Sequence, residues 1–254
     1  MAETDTRFST EGLVIREVNV GESDRLVTLF TRDYGILKAY APGAKSIKSK
    51  KGAATSLLTY SAVTFSKKKD TLRITEASPI ALFFSVGSEI ETLALSQYFC
   101  ELAYEFGESG NANREMLRLI LNSLHFLCKE KRYPPLIKAI TELRLASISG
   151  YSPNLVACED CGTFEDEKMY FNFENGSLKC SECGSQGDSV VVDEALLSAM
   201  RHIVYSEFSK LYSFTLGEKN ADRLSDITSR YITLQSDRRF KTLEFYNECS
   251  LSKR

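Results

Sequence analysis

Two cysteine pairs, Cys158-x-x-Cys161 and Cys180-x-x-Cys183, constrain this chain more than any other feature. They lie 18 residues apart, inside the spacing that brings four thiolates onto one zinc ion. Two residues between ligands let one tight turn aim both sulfurs at the same ion, and Gly162 and Gly184 follow the pairs where such a turn can take positive φ. Between the pairs, segments 169–173 and 177–179 flank Glu174-Asn175-Gly176, whose Asn-Gly is a strong hairpin signal, so the second pair is expected to fold back beside the first as a ribbon. Four cysteinates with no neighbouring His, Asp or Glu to leave an open position predict a structural zinc site, not a catalytic one. Such sites are worth about 10 to 16 kcal/mol in small fingers. The metal is therefore expected to dominate a segment too small for its own core.

The remaining cysteines and the chain start set the compartment. No run approaches the roughly 18 apolar residues of a membrane span, and Met1-Ala2-Glu3-Thr4-Asp5 lacks the basic and apolar parts of a signal peptide. A cytoplasmic protein is expected, with no membrane partner. Seven cysteines in a reducing compartment are not a disulfide framework, and Cys100, Cys128 and Cys249 are read as small core or partly buried residues.

Hydrophobic periodicity divides the chain, whose 254 residues suffice for a sizeable core. Up to Phe84 the text alternates in short runs rich in Val, Ile, Thr, Tyr and Phe, giving five strands near 11–18, 25–31, 36–42, 61–66 and 72–78. Arg32-Asp33-Tyr34-Gly35 and Lys67-Lys68-Lys69-Asp70 read as hairpin connections, and 43–56 as a longer polar link. Five short strands with one long link suit an OB-type barrel. Helical spacing takes over at Ser88-Glu89-Ile90-Glu91, a capping box, and continues through Leu95, Phe99, Leu102 and Phe106. Further helices are expected through Leu117–Leu127, after Pro134-Pro135 to near Gly150, from an Asp193 cap through Val204, and through Leu224, Ile227, Tyr231 and Leu234, with 210–221 as a connecting loop. The predicted fold class is α+β multidomain: an OB-fold domain over 1–82, a helical domain over 83–254, and a four-cysteine zinc ribbon inserted at 156–188.

Charge separates these parts. The segment from Cys158 to Asp188 holds eight carboxylates against Lys168 and Lys179, a local charge of −6, which repels phosphate. From Gly35 to Arg73 the balance reverses. Lys38, Lys45, Lys48, Lys50, Lys51, Lys67, Lys68, Lys69 and Arg73 face Asp70 alone, a charge of +8 in a chain whose net charge is −2. A localised basic patch on a neutral background is the footprint of a polyanion binder, and barrels of this kind pair such a groove with aromatic platforms. Tyr34, beside a turn, and Tyr40, next to the basic link, are the stacking candidates.

Catalytic motifs are absent from the text. In Ala41-Pro42-Gly43-Ala44-Lys45-Ser46 the alanine stands where a phosphate loop needs Gly before Lys. His125 and His202 sit in separate predicted helices with no nucleophile motif beside them. No catalytic residue is assigned.

Taken in order, GLVI at 12–15, ESDRLVTLFT at 22–31, GILKAYAPGA at 35–44, ELRLASISGYSPNL at 142–155 leading into Cys158-x-x-Cys161-Gly162, and YITL at 231–234 with RRFKTL at 238–243 resemble the RecO family of bacterial recombinational-repair proteins. The resemblance covers nearly the whole chain. It implies an N-terminal OB domain, a helical domain and a zinc module. It further implies a non-enzymatic, nucleoid-associated role: binding single- and double-stranded DNA, annealing complementary strands and, with RecR, helping RecA displace single-strand-binding protein. An RNA-binding or transcription-associated module with the same barrel and ribbon is the alternative, since a basic groove with aromatics does not distinguish sugars. A zinc hydrolase would need an open coordination position.

Overall fold

A computed structural model describes residues 6–46, 49, 51–84, 89–185 and 187–251. It contains all five expected strands, four of them longer than the sequence suggests and the third shifted by one residue: β1 (Thr6–Val20), β2 (Asp24–Thr31), β3 (Gly35–Ala41), β4 (Thr59–Lys68) and β5 (Thr71–Leu82). Their order, β1-β2-β3-β5-β4, closes into a barrel. Closure depends on β1, which pairs with β4 through Thr6–Leu13 and with β2 through Gly12–Val20. A register shift between Val14 and Arg16 bends it from one partner to the other. Strand alternation fills the interior with Val27 and Leu29, Ala39 and Ala41, Val63 and Phe65, and Ile74. The same alternation sends Lys38 and Tyr40 outward from β3.

Among the described residues six α-helices follow: α1 (Ile90–Phe106), α2 (Arg114–Cys128), α3 (Pro134–Ile148), α4 (Glu194–Tyr205), α5 (Glu218–Ser236) and α6 (Lys241–Leu251). The N-cap of α1 is Glu89, with no side-chain cap hydrogen bond, while Ser88 of the expected capping box lies outside the described residues. The two prolines occupy the first turn of α3 rather than preceding it, where their missing N–H groups cost nothing. Asp193 caps α4 as expected, accepting the Leu196 N–H at 3.0 Å. The loop expected over 210–221 ends early, because Glu218–Ala221 already form the first turn of α5. Among the described residues no helix is long and apolar enough to cross a membrane.

Two compact units emerge, one of residues 1–130 with 241–254 and one of 131–240. The expected division at 82/83 follows the change of local periodicity, whereas packing also places α1, α2 and α6 with the barrel. In the first unit α1 is buried on several sides through Leu95, Tyr98, Phe99, Leu102 and Ala103. The Arg16 guanidinium lies 3.4 Å from the Tyr104 ring centroid of α1. Arg114 at the start of α2 pairs with Asp33 of the β2–β3 turn at 2.6 Å. Glu101 of α1 accepts the Thr242 N–H at 2.9 Å and so caps α6.

The second unit packs α3 against α4 and α5 and carries a small sheet ordered β7-β6-β8, built from β6 (Met169–Asn172), β7 (Leu178–Cys180) and β8 (Ser189–Val192). Lys138 and Glu142 of α3, 2% and 0% exposed, are fully buried. Their Nζ to Oε2 distance is 3.2 Å.

Candidate nucleic-acid interface and candidate metal centre

Strand register converts scattered cations into ordered rows on the barrel. Arg7 on β1 faces Ser66 on β4, Ser66 faces Arg73 on β5, Arg73 faces Tyr40 on β3, Tyr40 faces Leu26 on β2, and Leu26 faces Val18 back on β1. Directly opposed side chains share a face. This one is the outer wall, with Arg7, Arg73, Tyr40 and Val18 exposed and Ser66 and Leu26 half-buried. The next row sets exposed Lys38 opposite Thr28, and Thr28 opposite Arg16.

Lys67, Lys68 and Lys69 are exposed at the tip of the β4–β5 hairpin, where Lys69 takes φ 54° in the connection to Asp70. Lys45 is also exposed, with Nζ 3.3 Å from the Gly21 carbonyl. Lys51 is half-buried and donates to the Ile74 carbonyl at 3.4 Å, so part of its capacity is spent inside the barrel unit. Lys48 and Lys50 lie outside the described residues. Asp24 tempers the wall: the Gly43 N–H first and the Ser23 hydroxyl next hold its carboxyl below 3.8, with the Arg73 and Lys51 charges acting in the same direction.

The two aromatic candidates differ in setting. The Tyr34 ring lies 4.8 Å from Phe8, which stacks 5.2 Å from buried Phe65, so Tyr34 ends an aromatic column rooted in the core. Tyr40, 40% exposed, stands on the outer wall between Arg73 and Leu26. Arg7 and Arg16 were not legible as members of these rows, since both fall outside the basic run and only strand register brings them in.

The four cysteines of the sequence motif come together, with their Sγ atoms all within 4.8 Å of one another. Both knuckles have the same build: the Gly162 N–H bonds the Cys158 carbonyl and the Gly184 N–H the Cys180 carbonyl, each at 3.0 Å. The glycines take φ 76° and 73°, where a side chain would be strained. Cys158 and Cys180 are buried, Cys183 is intermediate and Cys161 is exposed.

Burial raises the Cys158 thiol, but backbone N–H groups of Cys161, Cys180 and Asp160 outweigh it and bring it to about 6. The Thr163 hydroxyl, 3.2 Å from Cys161 Sγ, leads the lowering of Cys161. Cys183, crowded by Cys161 and then Cys180, is pushed up instead. Four thiols so close cannot all ionise unaided, whereas a divalent cation with a preference for sulfur removes the conflict, so the donor set fits a metal ion. Lys179 lies beside the cluster and pairs with Asp160 at 2.9 Å and Glu159 at 3.5 Å.

One expectation for this segment changes. The connection is longer than the expected Glu174-Asn175-Gly176: residues 173–177 form the loop, in which Asn172 Oδ1 accepts the Glu174 and Asn175 N–H groups at 2.8 and 3.1 Å. The segment's apolar side chains share a core with α5. Met169, Phe171, Phe173 and Leu178 are at most 1% exposed, and Phe171 packs 5.3 Å from Tyr231 of α5. Gln235 of α5 donates to the Phe173 and Glu174 carbonyls at 2.7 and 2.8 Å. The hairpin is thus anchored by α5, and the local burden on a metal falls on the two knuckles.

A closed five-stranded barrel in one unit, with a helical unit bearing paired cysteine knuckles, defines a barrel-and-knuckle class of protein. Residues 2–83 match the family model described as Recombination protein O N terminal, and residues 87–244 match Recombination protein O C terminal. The chain belongs to the RecO family. It is 32% identical over 239 residues to the DNA repair protein RecO of Acetivibrio thermocellus, covering 94% of this chain and 95% of that one. It is 28% identical to the protein of the same name from Caldicellulosiruptor saccharolyticus, over 94% of this chain and 97% of the other. The Dehalococcoides mccartyi CBDB1 protein of that name is 30% identical over 80% of this chain and 81% of its own.

Proposed function

We propose that this chain is a DNA repair and recombination mediator that works by holding nucleic acid, with no bond made or broken. The observation that carries this reading is the outward-facing row Arg7, Ser66, Arg73, Tyr40 on an OB-type barrel, with Lys67, Lys68 and Lys69 at the adjoining hairpin tip. Relatives that align over nearly the whole chain carry the name DNA repair protein RecO.

On this reading the lysine tip and the arginines hold backbone phosphates, which gives sequence-independent binding of single- and double-stranded DNA. Tyr40 offers its ring to an unpaired base, with half-buried Leu26 and exposed Val18 extending an apolar strip beside it. Two strands held this way lose mutual phosphate repulsion while their bases search for partners, which is annealing. RecR and single-strand-binding protein are the proposed partners, and RecA is served indirectly when the coating protein is displaced.

The proposed resident metal is structural zinc on Cys158, Cys161, Cys180 and Cys183, where four thiolates close the coordination shell. Zinc supplies the charge that lets all four sulfurs ionise. Chelation is expected to unravel the knuckles and spare the hairpin. Amide exchange checks this: protection falls over 158–163 and 180–184 but stays at Phe171 and Leu178, and collapse of all these sites together would show that the metal holds the whole segment.

Strand annealing on oligonucleotides coated with single-strand-binding protein, with RecR present, tests the function. Wild-type chain is expected to accelerate duplex formation. Tyr40→Ala is expected to bind single strands about tenfold more weakly, the loss of one base stack, and to anneal more slowly. A wild-type rate equal to buffer would remove the mediator reading.

A further inference from the structure

Residues 131–240 carry 13 Lys and Arg against 16 Asp and Glu, a net charge of −3, yet one groove on this unit is lined by arginine. It measures about 670 Å³, and its charged lining is Arg230, Arg238 and Arg239 with Asp237. The local backbone explains the clustering. At the end of α5 Asp237 takes the left-handed conformation, φ 51° and ψ 41°. The Asp237 and Arg238 N–H groups turn back to the Leu234 and Thr233 carbonyls, each at 3.3 Å. That closure folds Arg238 and Arg239 alongside the last turns of the helix, where Arg230 and Leu234 already lie. Arg230 is fixed by its Nη2, which donates to both Asp188 oxygens at 2.5 and 2.6 Å, and sits 4.4 Å from the Phe173 ring centroid. Arg238 and Arg239 are exposed, and Leu234 is 47% exposed in the same groove although helical spacing would place it with the buried face.

We propose that this groove is a second phosphodiester-binding site, with Arg238 and Arg239 on the backbone phosphates of a single nucleic-acid strand and Leu234 against a sugar or base. Planar guanidinium forks match phosphate oxygens better than point charges do, and the apolar side chain between them suits a flexible strand. The proposal rests on the reading that the barrel handles nucleic acid, and it gives each compact unit its own strand contact. Cations at a helix C-terminus also complement its dipole, but that role shows in stability and not in affinity for an oligonucleotide.

Fluorescence anisotropy of a labelled thirty-residue oligothymidine with the full chain separates these roles. Arg238→Ala with Arg239→Ala is expected to bind about tenfold more weakly, with a log-log salt slope shallower by about 1.4, the share of two phosphates on a single strand. Its melting temperature is expected to match the wild type. Should the pair unfold, Arg239→Ala alone, beyond the helix cap, is expected to lose about threefold. Wild-type affinity and slope in these variants, with binding lost in the Lys67→Glu, Lys68→Glu, Lys69→Glu chain, overturn this site and leave the barrel reading standing. Loss in the arginine variants with the lysine variant unchanged supports the groove and moves the barrel contact elsewhere. A wild-type chain that does not bind the oligonucleotide overturns both. Arginine variants that bind it normally but no longer bind a polyglutamate peptide overturn the nucleic-acid assignment in favour of an acidic protein partner.

Discussion

Replacing Lys67, Lys68 and Lys69 together with Glu is expected to weaken single-strand binding by about a hundredfold at low salt and to make the log-log salt slope shallower by about 2. All three side chains are exposed at a hairpin tip, so the fold has no stake in them. The change reverses the densest positive charge on the barrel unit while leaving Tyr40 and Arg73 in place. A salt series of anisotropy titrations beside a thermal melt separates loss of contact from loss of fold. Unchanged affinity in a folded variant would take the interface off this hairpin.

Glu142→Ala is expected to destabilise the chain by about 3 to 5 kcal/mol, because it leaves a buried ammonium without its counter-charge. Glu142 Oε2 accepts the Thr228 hydroxyl at 2.6 Å in addition to Lys138, and Oε1 accepts the Ser229 hydroxyl at 2.9 Å. Lys138 Nζ also donates to the Ser225 carbonyl at 3.0 Å, to its hydroxyl at 2.9 Å, and to the Ser229 hydroxyl. Every polar group in this network thus joins α3 to α5, the helix that also anchors the ribbon hairpin. Lys138→Met with Glu142→Leu removes both charges and is expected to be near neutral or stabilising. Urea unfolding measures both variants, and a single variant as stable as wild type would show that the buried pair is not needed.

The barrel was legible in the sequence because its strands alternate cleanly, and the cysteine cluster because metal-ligand spacing is a local property. Strand ends were less so. Polar Thr6–Thr10 extends β1, and β5 runs on through Pro79, a residue that reads as a strand stop. β8 is only the four residues SVVV after a turn-rich stretch. Among the described side chains of α6, Leu243, Tyr246 and Cys249 are the buried ones, too sparse to stand out. The burial of the ribbon hairpin depends on Tyr231 and Gln235, about sixty residues downstream of it, so no local pattern announces it. The basic run from Lys38 to Arg73 could be counted directly, but its alignment with Arg7 exists only once β1, β4 and β5 are in register.

Photocross-linking tests the central claim, that nucleic acid lies on the outer wall of the barrel. A single-stranded oligonucleotide carrying 5-iodouracil is irradiated with the full chain, and the attached peptide is sequenced. Cross-links are expected at Tyr40, on the strand that also presents Lys38, and are expected to disappear in Tyr40→Ala. Cross-links confined to the acidic segment from Cys158 to Asp188, with none on the barrel, would contradict the account.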